Sequence, residues 1–368
     1  MKISTACSTK GNITDIVKDI QDQLGNSGNK LVVFYASPSY EPEAISKAMQ
    51  AAFQDATVFG CTTAGEITSG KMLKNSVVAM AFDAEAVKDV KIAVIEDLKD
   101  PNGVEKAFAT FEKHFGVPML DMNPSRYVGI VLVDGLSGAE ENLIEKIGDQ
   151  TDVLFVGGSA GDDLKFEGTS VFVEGKSYNN AAVLALLKPG KKFTFVKTQS
   201  FSILPEKLLV TKADEENREV LEFNGKPAVV AYAEALGVAP ENADSRFMHN
   251  PVGLVVNDEP YVRSPQRVNG QSIKFYCSVK EGMELSLLES TDIIEGTKQA
   301  LNDAKAELGS ISGVIAFNCI LRTLELIQKQ STDDFGKLFA DIPAVGFSTY
   351  GEQYIGHINQ TATMLVFA

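Results

Sequence analysis

Tryptophan is absent from this chain, and histidine occurs only at positions 114, 249 and 357. A serine or cysteine nucleophile needs a base that can meet it in space, and histidine is the usual one. With so few histidines and no nucleophile–base motif, an enzyme is the least favoured class, and its chemistry would fall to carboxylates at strand ends. The four cysteines, Cys7, Cys61, Cys277 and Cys319, are scattered and form no C-x-x-C pair. That argues against a structural zinc site or a disulfide framework and fits a reduced, cytoplasmic setting. Basic residues are outnumbered, 34 Lys and Arg against 49 Asp and Glu, for a net charge of −15. A general binder of nucleic acid or anionic membrane is therefore not expected, because both are polyanions; the charge serves solubility. No run approaches the roughly 18–20 apolar residues of a membrane span, and the N-terminal segment has no sustained apolar stretch of the signal-peptide kind. Neither a P-loop nor a dinucleotide fingerprint is present, since Gly157-Gly-Ser-Ala-Gly161 has the wrong spacing for both.

One pattern occurs three times: Asp55-Ala-Thr-Val-Phe-Gly60-Cys-Thr-Thr-Ala-Gly65-Glu66, Asp152-Val-Leu-Phe-Val-Gly157-Gly-Ser-Ala-Gly161-Asp162 and Asp341-Ile-Pro-Ala-Val-Gly346-Phe-Ser-Thr-Tyr-Gly351-Glu352. Each reads as a buried strand that ends in a polar, glycine-rich loop. A short apolar run precedes each copy, at Leu31–Ser37, Val128–Asp134 and Gly313–Cys319. Leu31 lies 29 positions before Gly60, and Val128 lies 29 before Gly157. Helical periodicity fills the interval, over Glu43–Phe53, Ser137–Gln150 and Leu321–Phe339, with Ser137 as a cap. Another apolar run follows, at Ser76–Phe82, Ala181–Leu187 and Thr361–Phe367. The unit is strand, helix, strand, loop, strand. A helix between two buried strands predicts parallel pairing, and the short, loop-like connection to the third strand predicts an antiparallel return.

A length of 368 residues with 44% hydrophobic content supports about two domains. Residues 1–200 hold two repeats and an amphipathic helix at Gly103–Phe115. Residues 201–368 open differently. Lys192–Leu204 reads as one strand, and a β meander runs over Pro251–Val256, Tyr261–Val268, Ser272–Ser278 and Met283–Leu288 after a short helix at Ala228–Leu236. Ser290 caps a helix to Leu308, and repeat three follows. The fold class is α/β, with mixed sheets built from repeated units and two lobes, the second carrying the antiparallel meander.

Leu31–Ile67 resembles the N-terminal half of the FIST sensory domain, and Ile315–Phe367, with AFNCILRTLEL and PAVGFSTYGEQYIGHINQTATMLVF, resembles its C-terminal half. The resemblance runs essentially end to end, in the stand-alone layout of the NosP branch. It implies a bacterial signal-transduction protein that binds a small ligand of the amino-acid or organic-acid class. The NosP branch further implies haem, nitric oxide and a histidine kinase or cyclic-di-GMP enzyme as partner.

In open α/β sheets ligands sit beyond the carboxyl ends of the strands. The candidate ligand-binding residues there are Cys61, Thr62, Thr63, Gly65 and Glu66 in the first repeat. In the third they are Asn318, Cys319, Arg322, Ser348, Thr349, Tyr350, Gly351, Glu352 and Asn359. Arg263 joins them from the strand Tyr261–Val268. An arginine there would hold a carboxylate bidentately or form a salt bridge. Glu66, Asp162 and Glu352 read as an acid/base set or as acceptors for N–H groups of their own turns. Cys61 and Cys319 read as reactive thiols or as small buried hydrophobes. For haem, His357 is the first donor, then His249, then Cys61, although a loop histidine bonded to a carbonyl is the competing reading of His357.

Overall fold

A computed structural model describes residues 2–25 and 27–368. The described residues form two compact units. The first comprises 2–198, 297–357 and 362–368; the second comprises 199–296 and 358–361.

In the first unit every repeat forms the expected strands. Asn29–Ala36 pairs in parallel with Thr57–Thr62, Val128–Val133 with Phe155–Ser159, and Gly313–Cys319 with Ala344–Thr349. The third strands return antiparallel, Val77–Asp83 on the first repeat, Ala182–Pro189 on the second and Thr361–Phe367 on the third. These runs are apolar because both faces are covered.

A short hairpin follows each glycine-rich loop, and it does not pair within its own repeat. The first repeat's Glu66–Thr68 adds to Ala344–Thr349 of the third. The third's Glu352–Tyr354 adds to Phe155–Ser159 of the second. The second's Val171–Val173 adds to Thr57–Thr62 of the first. The exchange is cyclic and gives three six-stranded sheets with one strand order among the described residues. The loops are stitched in the same cyclic sense. Thr62 N–H donates to Ser170 O (2.9 Å), Ser348 N–H to Gly65 O (2.8 Å) and Ser159 N–H to Gly351 O (2.9 Å).

One glycine per repeat is dictated by this register. Gly60, Gly157 and Gly346 stand opposite Phe34, Val131 and Ala316 in the parallel ladders. A Cβ at any of them would be driven into that partner's carbonyl oxygen. The inner faces of the sheets share one apolar core, with Tyr35 against Phe347 (ring centroids 4.7 Å apart) and Phe317 (6.4 Å). Helices Ile13–Leu24 and Pro42–Ala52 cover the outer face of the first repeat, and Gly103–Phe115 and Glu140–Gly148 that of the second.

The second unit is an eight-stranded antiparallel sheet packed on helix Ala228–Leu236 through Val210, Phe223, Tyr232, Ile273 and Leu287.

Several local expectations are corrected. Leu321–Phe339 is two helices, Ile320–Gln328 and Thr332–Lys337; Gln330 at φ 54° breaks the first. Ser290 ends a strand, and the cap is Asp292, whose Oδ1 accepts from Ile294 N (2.8 Å) and Glu295 N (3.1 Å). Ser137 does not cap its helix, which begins at Glu140 after Ala139. Lys192–Leu204 divides at Ser200 into Phe193–Gln199 and the longer Phe201–Asp214. The strand Ile3–Ser8 and the helix Ile13–Leu24, capped by Asn12, were not anticipated.

Gly157→Ala is expected to destabilise the protein by about 3 kcal/mol, through overpacking against backbone that cannot yield. Gly148→Ala, with open space around its Cβ at a helix end, is expected to be neutral or stabilising by about 0.5 kcal/mol. Urea unfolding of both variants checks the pair; equal effects would contradict the register argument.

Candidate functional site

The three loops converge at the carboxyl ends of the parallel strands, where Ala64 N–H donates to Ser348 O (3.1 Å), Gly161 N–H to Thr62 O (3.0 Å) and Tyr350 N–H to Ser159 O (3.2 Å). They form an interior polar layer. Thr62, Thr63, Glu66, Asn318, Arg322, Ser348, Thr349 and Glu352 are all buried.

Glu66 is held by hydroxyls. Thr63 Oγ1 donates to its Oε1, while Ser76 Oγ (2.6 Å) and Ser76 N–H (3.1 Å) donate to Oε2. Burial pushes its carboxyl up to about 7, against the pull of those donors, and the nearby Asp163 adds to the rise.

Arg322 sits in the first turn of Ile320–Gln328 and is wholly interior. Its Nε donates to Asn318 Oδ1 (3.0 Å) and its Nη2 to Thr297 Oγ1 (2.9 Å). Burial pushes the guanidinium down to about 10, and the charges of Glu352 and Glu325 oppose that fall. It stays protonated at neutral pH. Asn318 Nδ2 donates to Thr323 Oγ1 (3.0 Å), which lies 2.7 Å from Ser348 Oγ.

A third cluster joins Thr349, whose hydroxyl donates to Ser159 O (2.7 Å), with Gln353, whose Nε2 reaches Ser159 Oγ (3.2 Å) and lies 3.1 Å from His357 Nδ1. Gly351 has no Cβ because the His357 ring occupies that space.

The three loop carboxylates are not equivalent. By register Glu66 and Glu352 correspond to Val171, so the second repeat carries an insertion between Gly161 and its hairpin. Asp162 organises that insertion. It accepts from Phe166 N–H (3.0 Å), Glu167 N–H (2.7 Å), Gly168 N–H (3.1 Å) and the Tyr350 hydroxyl. Burial raises its pKa, but those donors together hold it below the ordinary carboxylate value. Asp163, Leu164 and Phe166 all have φ near +60° (55°, 65° and 55°). Phe166, half-exposed, stacks on Tyr350 with ring centroids 5.2 Å apart.

Cys61 is buried in the core and its thiol is pushed well up by burial. Cys319 is likewise buried, where the last strand residue passes into a helix. Arg263 and Asn359 belong to the second unit, where Arg263 Nη1 lies 3.4 Å from Val262 O and Asn359 is buried in a turn. Sequence reasoning did not put Ser76, Ser159, Thr297, Thr323 or Gln353 in the site. Thr297 carried a signal, as a polar residue on the inward stripe of its helix. The others are ordinary strand and helix residues until the repeats are assembled.

A FIST N domain matches residues 30–226 and a FIST C domain residues 228–355. The chain belongs to the FIST family, whose sensory domains are generally non-catalytic, and this points to a role in signalling. It is also 23% identical over 267 residues to an uncharacterized protein of Methanocaldococcus jannaschii, covering 67% of this chain and 51% of that relative. The chain thus spans about half the length of the curated relative it matches. Among the described residues no helix is long and apolar enough to cross a membrane.

Haem needs an axial donor beside an apolar slot. The buried His357 ring is wedged between Gln353 and Gly351. His249 lies in the second unit with its Nδ1 3.4 Å from Ser290 Oγ. Cys61 is an interior thiol with its proton held. These settings do not fit haem.

Two outcomes are expected. Glu66 has a folded pKa near 7, above its ordinary value of 4.5. Its folded form therefore holds a proton that the unfolded chain releases, and stability falls as pH rises from about 4.5 to about 7, then levels. The full effect is roughly 3 kcal/mol. Glu66→Gln should flatten that slope in urea titrations, and an unchanged slope would place the charge elsewhere. Leu164→Gly should stabilise by about 1 kcal/mol through relief of the left-handed backbone, read as a raised melting temperature.

Proposed function

We propose that the chain is a receptor without catalytic chemistry. It takes a small carboxylate-bearing molecule, of the amino-acid or organic-acid class, at the strand-end layer of the first unit and passes the change to a partner protein. Arg322 carries this reading. Burying a guanidinium costs several kcal/mol, and its planar fork matches a carboxylate. Asn318 Oδ1 and Thr297 Oγ1 accept from it within the field of Glu352 and Glu325, and a ligand carboxylate can take the place of those two neutral acceptors. Because the layer is interior, a ligand enters only as the loops part, so that occupancy and conformation are linked. The cyclic stitching makes the linkage wide, since loosening one loop removes bonds from the next repeat.

A thermal-shift panel of amino and organic acids tests this. At a hundredfold excess over Kd, a true ligand adds about 2.7 kcal/mol of stability. Thr297→Val should weaken the response, and Arg322→Lys should abolish it. No response to any acid, or a response indifferent to both variants, would end the proposal.

A further inference from the structure

The second unit contains a cavity of about 440 Å³, within the roughly 300–1,000 Å³ range of small-molecule sites. A break in strand register builds it. Phe201–Asp214 pairs with Glu284–Ser290 so that Ile203 faces Leu288 and Lys207 faces Ser286. Leu204, Pro205 and Glu206 therefore stand against Leu287 alone and bulge out of the ladder. Pro205 suits that place because it has no N–H to give. Bulges of this kind re-aim side chains and cluster beside functional sites.

The bulge lifts Leu204 and Pro205 into one wall of the cavity, and the end of helix Ala228–Leu236 supplies the facing wall through Leu236. Leu287, fully buried, belongs to the apolar cluster that includes Leu204 and Leu236 and forms the floor. The rim is charged. Glu206 comes from the bulge, Glu289 from the same strand face as Leu287, and Arg246 from the turn Asp244–Arg246. All three are exposed, and none is in an ion pair among the described residues. The helix presents its C-terminal, partially negative end here. Two carboxylates and a helix end outweigh one guanidinium, so the field over the apolar floor is negative.

We propose that this cavity binds a small molecule carrying an ammonium group on a compact apolar body. The body lies on Leu204, Leu236 and Leu287, and the ammonium faces Glu206 and Glu289. Arg246 takes a carboxylate when the molecule has one. The site is separate from the layer around Arg322 and does not depend on it.

The test uses the whole chain at low salt, carrying Arg322→Lys so that acids do not act through the first unit, with three probes of one apolar skeleton: isoamylamine, leucine and isocaproate. Isoamylamine is expected to raise the melting temperature in a saturable way at millimolar concentration, and isocaproate is not. A larger shift from leucine than from the amine would assign the carboxylate to Arg246 and also support the site. Glu206→Gln with Glu289→Gln, at exposed positions that do not threaten folding, should weaken amine binding at least about tenfold. Thr297→Val should leave it unchanged, which separates this site from the one in the first unit. No shift with isoamylamine, an equal shift with isocaproate, or an amine response untouched by the double variant would overturn the proposal.

Discussion

The first unit depends on the pairing of each repeat's hairpin with the open edge of a different repeat. A parallel pair of strands leaves unpaired N–H and C=O groups along its free edge, and such an edge invites aggregation. Here Thr57–Thr62, Phe155–Ser159 and Ala344–Thr349 each receive a hairpin from elsewhere in the chain. No repeat completes its sheet alone. The chain closes its own edges in a cycle, and the second backbone stitch between loops follows the same cycle.

Depth orders the chemistry of the unit. The middle of the three sheets is apolar, centred on Tyr35, Phe317 and Phe347. At the carboxyl ends of the strands the side chains turn polar and remain buried. A buried polar layer is stable only when its members satisfy one another. Glu66 meets this condition with hydroxyls and Arg322 with Asn318 and Thr297. The layer therefore holds ionisable groups in the interior, with hydroxyl and amide partners offsetting part of the cost of burial. The insertion at Asp162–Ser170 breaks the threefold likeness. Its Asp163, Leu164 and Phe166 are all left-handed, a conformation that costs stability at Leu164 and Phe166.

Much of this was legible in the residues. The three strands of each repeat, their parallel and antiparallel senses and the helices Gly103–Phe115 and Ala228–Leu236 follow from apolar periodicity and turn chemistry. Gly60, Gly157 and Gly346 stood out as a shared feature, but only the ladder gives their reason. Other features were hidden. Asp162 looks like Glu66 and Glu352 in the chain, yet it caps an insertion, because register and not spacing decides which residue starts the hairpin. Asp292 and Ser290 are both good caps by composition, and the strand that runs through Ser290 chose between them.

By itself the sequence determined what is local: which segments are strand or helix, where glycine is required and that one unit is used three times. Only the tertiary structure decided which edge each hairpin joins, that the third repeat shares a core with the first two although residues 199–296 fold apart, and that Arg322 is held by a threonine 25 residues earlier in the chain. The physical reason is that periodicity reports which face of an element is buried, whereas hydrogen-bond partners at sheet edges and in buried polar layers are fixed by contacts between segments far apart in sequence.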